Sequence, residues 1–387
     1  MSNSKTVVVL GGGLSGIATA HKLLKHTLPK LPGLKVILVS ASTHFYFNFA
    51  AVRGVIPGEI PDAALWHPIE PGFAHHPKGS FEFVAGAANF LDLAGNTVQV
   101  RTQNAGDRTI RYDQLVVATG SKLATDLPFK HVGTYDETIA AWHALQNRVK
   151  AAKSIVIAGA GPTGVETMGE LAGKYGTSKK LTLVVDGEHA LPGLMPSVGR
   201  AAEAELTKMK VDLVRKVRVT GTQQLDDGGG GATKLTLSNG KTLVADVFLP
   251  LYGVRPNSEF VPRHLLDEGG SVKVDKFLRV EGSENVWAVG DVNNVELKAA
   301  MRAETQVVHL HPNLEATLLG RGKGALMEYV PSEKMMMFVT IGKKKGTGQM
   351  GGFKVFSFLV SYVKGRSLFV EKAAGVVSGK SLLQASV

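Results

Sequence analysis

The 387-residue chain contains no cysteine. That excludes disulfides, thiolate metal sites and any dithiol relay, whatever the fold, and it suits a reducing compartment. No apolar run approaches the ~20 residues a helix needs to cross a bilayer, so no spanning segment is expected. "MSNSKTVVVL" lacks the basic start, apolar stretch and cleavage site of a secretory signal, and Ser2 stands where N-myristoylation requires glycine. The 12 histidines show no H-E-x-x-H spacing, so no metal site is expected. Acidic residues are in deficit: the net charge is +11, and from Lys298 onward 13 Lys and Arg face 5 Asp and Glu. Such a segment can meet an anionic membrane surface, nucleic acid or an anionic ligand, or form a solvated face; composition leaves both readings open.

What the chain does have is glycine at a telling spacing. "VVVLGGGLSG" (Val7–Gly16) and "IVIAGAGPTG" (Ile155–Gly164) each place G-x-G-x-x-G after a β-branched run and before a helical pattern. In such a turn Gly11 reverses the chain, Gly13 lets the backbone approach a pyrophosphate, and Gly16 lets helix and strand pack closely. Gly159, Gly161 and Gly164 take the same three positions. "KVILVSAS" (Lys35–Ser42) completes the first β-α-β unit, with Ser40 where an acidic ribose ligand is usual. "KLTLVVDG" completes the second and ends at Asp186, the expected ribose acceptor. No arginine follows closely to take a 2′-phosphate, which favours NADH over NADPH.

Further strands end in Ala118-Thr119-Gly120 and in Gly290-Asp291. A chain that leaves one sheet, inserts a second unit and returns implies a discontinuous first domain. Hairpin strands around "LDDGGGGATKLTLSNGKTLVADVF" close the second unit, with Asp226–Gly231 as a turn.

Together the two fingerprints, "ATG" and "VGD" resemble the two-dinucleotide-binding-domain flavoproteins. "FYFNFAAVRG", "GPTGVETMGEL", "VDKFLRVEGSENVWAVGD", "GTGQMGG" and "VKGRSLFV" are similar to the apoptosis-inducing-factor-like branch, which includes the ferroptosis suppressor proteins. The resemblance implies an α/β protein with two Rossmann-like domains of glutathione-reductase type and a smaller C-terminal α+β domain. It implies an FAD-binding domain over 1–135 and 256–319, an NAD(P)H-binding domain over 136–255, and a third domain over 320–387. Its cofactors would be FAD with NADH or NADPH, and its reaction hydride transfer to flavin and on to a quinone.

By the same resemblance Gly11, Gly12, Gly13, Leu14, Ser15 and Gly16 hold the FAD pyrophosphate. Arg53 contacts the cofactor, Ala87 lies near the adenine, Thr119 and Gly120 run beside it, and Asp291 bonds the ribityl chain. Glu166 sits beside the nicotinamide, Lys364 and Phe369 near flavin and quinone, and Gln306 over the ring system. Each has a plainer reading. Glu166 suits any helix N-terminus, Lys364 suits a solvated surface, and Phe369 with the aromatic run Phe353–Tyr362 suits a core between domains. Without a thiol, the acceptor must meet the flavin directly. Two other functions remain open: a tailoring enzyme for a dedicated aromatic or quinonoid metabolite, and a redox-switched signalling flavoprotein that binds nucleic acid. The expected setting is cytoplasmic, with weak contact to an intracellular membrane surface through the basic C-terminal segment and no anchor.

Overall fold

A computed structural model describes residues 4–225 and 231–384. The turn expected at Asp226–Gly231 therefore falls, Gly231 apart, outside the described residues. Strand β1 (Lys5–Leu10) is the centre of the parallel part of the first sheet, and Val7, Val8, Val9 and Leu10 are at most 1% exposed. A run this apolar is buried on both faces, which is the signature of a parallel sheet covered on both sides. β1 pairs in parallel with β2 (Leu34–Ser40) on one side and with Gln114–Val117 on the other. The strand Val286–Ala288 joins in parallel beyond Gln114–Val117, so the chain does return to its first sheet. At the far side Phe81–Asp92 pairs with β2 and then continues into an antiparallel meander with Thr97–Thr102 and Asp107–Arg111.

The second sheet repeats the plan on a smaller scale. β3 (Ser154–Ala158) lies between β4 (Lys180–Val185) and Val247–Pro250, with Asp212–Arg215 at the edge, all parallel. A three-stranded antiparallel sheet of Val219–Gln224, Thr233–Leu237 and Thr242–Ala245 covers it. The antiparallel pair Ser121–Leu123 with Val254–Pro256 ties the outgoing and returning chains together.

Helix α1 (Leu14–Lys22) follows β1, and α2 (Pro162–Tyr175) follows β3. α1 packs against α3 (Ala300–Leu318) and against the terminal helix Ala373–Val377. The last part of the chain forms a three-stranded antiparallel sheet, Met336–Ile341, Lys345–Met350 and Phe353–Lys354, that lies on α2. Gly169 permits this approach: a Cβ there would sit 2.7 Å from the Ile341 Cα. After that sheet the chain is helical from Ser357 to Val377, with short turns between. The α/β class and paired nucleotide-binding units expected from the sequence are those observed.

Candidate functional site

The two glycine turns are built alike, and what each glycine would collide with separates their jobs. Gly11 and Gly159 have φ of +116° and +103°, backbone that only glycine adopts without strain. A Cβ at Gly16 would lie 1.8 Å from the Gly11 carbonyl oxygen, and one at Gly164 the same distance from that of Gly159. Those four glycines are needed for packing. Gly13 and Gly161 differ: both are extended, and a Cβ at either meets nothing within 4 Å. Each is the N-cap of its helix, and neither helix has a side-chain cap. An uncapped helix N-terminus facing open space at its middle glycine is a cradle for a phosphate group. Leu14 and Ser15 open α1 at that point.

The returning strand brings a carboxylate to the same end of the first sheet. Gly290 has φ of +81°, and a Cβ on it would come within 2.6 Å of the Ser15 Oγ. The next residue, Asp291, accepts hydrogen bonds on Oδ2 from Ser121 Oγ at 2.7 Å and Lys130 Nζ at 3.2 Å. Lys298 donates to its carbonyl at 2.6 Å, and burial lowers the pKa of that lysine. Thr119 donates to the Asn257 carbonyl, and Gly120 takes φ of +66° beside it. Ser121, Lys130 and Lys298 carry no motif, and the sequence analysis missed them.

Gln306 proves to be part of this turn's support. It is 2% exposed, and its Oε1 accepts from Gly290 N–H and Asn293 Nδ2, each at 2.8 Å, while Nε2 donates to Glu296. Both of its amide atoms are committed to protein, which makes Gln306 a brace for the turn that carries Asp291.

The third cluster lies where α2 meets the C-terminal segment. Glu166 and Glu170 are one helical turn apart on the same face of α2 and are 4% and 5% exposed. Glu166 Oε1 accepts from Lys364 Nζ at 2.5 Å, from Thr340 N–H at 2.8 Å and from Thr340 Oγ1 at 3.2 Å. Lys364 also donates to the Phe338 carbonyl at 3.1 Å. Two residues named separately from the sequence are thus an ion pair, with Glu166 buried and Lys364 half-buried. Neither the plain helix-terminus reading of Glu166 nor the solvated reading of Lys364 holds.

Arg53 sits one turn along from that pair. Its Nε and Nη2 grip the two oxygens of Glu170 at 2.8 and 2.7 Å, and Nη2 and Nη1 donate to the carbonyls of Gly365 at 2.6 Å and Arg366 at 3.0 Å. Four of its five N–H donors are spent on protein. It clamps the first unit to α2 and to the backbone just after Lys364, and one N–H remains for the expected cofactor contact. Phe369 belongs to the same turn, where the Leu368 N–H donates to the Lys364 carbonyl at 2.8 Å. Leu368 and Phe369 have φ of +54° and +63°. Two consecutive non-glycine residues in this region store backbone strain of the kind that gathers at functional sites.

Other expectations shift. Ser40 is buried, donates to the Ser42 carbonyl at 2.7 Å, and lies 2.4 Å from where a Gly12 Cβ would be. Its proton closes a local turn, which leaves only its oxygen to accept from a ribose hydroxyl, and Gly12 is tightly packed against it. Ala87 is exposed just past the parallel part of Phe81–Asp92, paired with Arg101. Asp186 follows β4 and is exposed, and Arg218 Nε lies 3.9 Å from it. The preference for NADH rested on the lack of a nearby arginine, and the fold supplies one from 32 residues on. The aromatic run is not core: Phe353, Phe356, Phe358 and Tyr362 are 63 to 79% exposed. Of the lysines at 343–345, Lys343 pairs with Glu59 at 2.8 Å. Hydrogen bonds from Lys174 and Lys343 hold the Glu59 carboxyl down to about 2.

Two uncapped glycine turns at the ends of two parallel sheets, with a carboxylate turn at one and an ion pair beside the other, suit an oxidoreductase that holds two dinucleotides. The family model for pyridine nucleotide-disulphide oxidoreductases matches residues 5–307, and this chain belongs to that family. Its cofactors are FAD and NAD(P)H. The chain is 42% identical over 379 residues to the oxidoreductase ptaL of Pestalotiopsis fici, spanning 98% of this chain and 100% of that one. It is 32% identical over 408 residues to the oxidoreductase phnG of Penicillium herquei, spanning 98% and 97%. It is 29% identical over 388 residues to ferroptosis suppressor protein 1 of Xenopus laevis, spanning 96% of each. Among solved structures, the sulfide:quinone oxidoreductase of Aquifex aeolicus superposes with a TM-score of 0.74 at 19% identity, over 98% of this chain and 93% of that one. No helix among the described residues is long and apolar enough to cross a membrane.

Proposed function

We propose that this chain oxidises NAD(P)H and passes the electrons to a quinone-type small molecule. FAD, when bound, supplies the hydride acceptor and the electron donor. The chain's residues hold and tune it: the amides around Gly13 and Gly161 take the two pyrophosphates, and Asp291 accepts a hydroxyl of the flavin's chain. The observation that carries the reading is the Glu166–Lys364 pair. A fixed ammonium–carboxylate pair in a largely buried junction, between the nucleotide-binding helix and a strained C-terminal turn, supplies preorganised charge where electrons move. The similarity to ferroptosis suppressor protein 1 along 95–96% of the chain supports a quinone as the acceptor. Lys364→Met should retain flavin and slow its reduction by NADH or NADPH by about 100-fold, the usual loss for one preorganised electrostatic group. Stopped-flow reduction at the wild-type rate would return Lys364 to a packing role.

Arg218 bears on which nucleotide is used. With Asp186 it presents both a ribose acceptor and a cation for a 2′-phosphate. Arg218→Ala should lower kcat/KM for NADPH about tenfold, one charge-assisted contact, while NADH stays within twofold. Equal effects on both would remove Arg218 from the binding site.

A second reading, a tailoring oxidoreductase for one aromatic or quinonoid metabolite, is favoured by the greater identity to ptaL and phnG. The exposed patch helps to separate the two. Phe356 and Phe358 sit beside the exposed Lys344, Lys345 and Lys354, an apolar patch with a cationic rim that suits an anionic bilayer surface. A membrane-borne quinone in anionic vesicles should be reduced faster by the wild type than by Phe356→Ser/Phe358→Ser, with turnover of a short water-soluble quinone unchanged. No difference between the two would favour the tailoring enzyme, working away from membranes.

A further inference from the structure

The sequence offers no metal motif, yet the fold brings His21, His75 and His76 together. One nitrogen of each lies within 4.8 Å of those of the other two. His21 comes from the last turn of α1, and the other two follow the turn Glu70–Phe73. They line a cleft of about 700 Å³ whose other wall is the C-terminal turn Ser378–Lys380.

The hydrogen bonds fix the chemistry of the buried member. His21 Nε2 lies 2.8 Å from the Val377 carbonyl, which only accepts, so Nε2 carries the proton. Nδ1 therefore presents its lone pair, and it points at His76 Nε2 at 2.9 Å. An imidazole that donates one N–H to a backbone carbonyl and aims the other nitrogen at a shared point is the arrangement of a metal-binding histidine. Its ring is held on both sides. Phe73 stacks on it at 3.8 Å and 1° between planes, and a Cβ at Gly379 would lie 2.5 Å from it. His75 and His76 are more open and stand 4.1 Å apart, centroid to centroid.

We propose that His21 Nδ1, His76 and His75 bind one divalent transition-metal ion of the zinc type. Two nitrogens on a tetrahedral zinc, each about 2.0–2.1 Å from the ion, are separated by roughly 3.3 Å. His76 has only to move back by a few tenths of an ångström and switch tautomer, its Nε2 proton leaving to solvent as Nδ1 takes one up. Three imidazoles leave the fourth position open to the cleft, where a water or an anion completes the shell; Lys25 and Lys380 line the same cleft and favour the anion. Imidazole-only coordination suits Zn²⁺, Ni²⁺ and Cu²⁺ and not Mg²⁺ or Ca²⁺. The ion would fasten α1, whose other end would cradle the flavin phosphates, to the loop that follows Glu70–Phe73.

The test is calorimetric titration of tag-free, full-length, flavin-loaded protein with ZnCl₂, with MgCl₂ as the control, and thermal melts in parallel. One equivalent of Zn²⁺ should bind and raise Tm, and Mg²⁺ should do neither. His75→Ala, an exposed position, and His76→Ala should each weaken Zn²⁺ binding by at least about tenfold and abolish the rise in Tm. His309→Ala, outside the cluster, should change neither. Absence of one-to-one binding in the wild type would overturn the proposal, and so would binding that survives in both cluster variants. His75→Ala keeps this decisive even if changes deeper in the cleft impair folding, and the flavin spectrum reports that each variant is folded.

Discussion

Gly13→Val is expected to yield folded protein without flavin. Gly13 has φ of −91° and ψ of −172°, backbone that valine adopts freely, and the new side chain would enter empty space on the protein side. That space is where a phosphate must approach the amides of α1. Loss of even two charge-assisted amide–phosphate bonds, at about 1.5 kcal/mol each, weakens binding by roughly 100-fold. Gly161→Val is the matched experiment in the second turn: it should keep the yellow colour and lose reduction by NADH and NADPH. Gly16→Ala supplies the contrast, because its Cβ would overlap the Gly11 carbonyl and the fold itself must give way. Absorbance of the purified variants, together with their far-UV circular dichroism, checks all three. A flavin-loaded Gly13→Val would remove the first turn as the FAD site.

Breaking the Arg53 clamp should have the largest effect on stability. Arg53 is 3% exposed and Glu170 5%, and removing one member leaves the other charge buried and unpaired. Such losses run to about 3–5 kcal/mol. Arg53→Met and Glu170→Met should each lower the urea midpoint accordingly, and the double variant should recover much of the loss, because no lone charge remains. The double variant still lacks the two donors that fix the carbonyls after Lys364, so flavin reduction stays slow although the protein is stable again. If Arg53→Met shed its flavin at unchanged urea midpoint, Arg53 would be a cofactor contact and the clamp would be of little account.

Much of this site was legible in the sequence because it rests on backbone. The glycine turns, the ends of the strands at Thr119-Gly120 and Gly290-Asp291, and the helix after each turn follow from residue type and spacing alone. Glu166 and Lys364 were identified by similarity, but their pairing across 198 residues was not visible, since nothing local marks a contact between α2 and the C-terminal turn. For Arg53, Ser40 and Gln306 the structure adds protein partners that sequence does not show. Sequence gives a polar residue's address but not its hydrogen-bond partners, and each of these is engaged by protein groups. Arg218 and the three clustered histidines were missed because their partners arrive from distant segments. Sequence left the aromatic run near Phe356 between core and exposed face, because apolar composition alone does not distinguish the two, and the structure shows it exposed.

The central claim is that electrons from NAD(P)H pass through this cysteine-free chain to a quinone with no thiol relay. Anaerobic double-mixing tests it directly: flavin-loaded protein is mixed with NADH and then with a short-tailed quinone, while flavin absorbance is followed. The account predicts that NADH bleaches the flavin, that the quinone restores it within the turnover time, and that thiol-blocking reagents change neither phase. Flavin that neither NADH nor NADPH can bleach, or that stays bleached when the quinone is added, would contradict it.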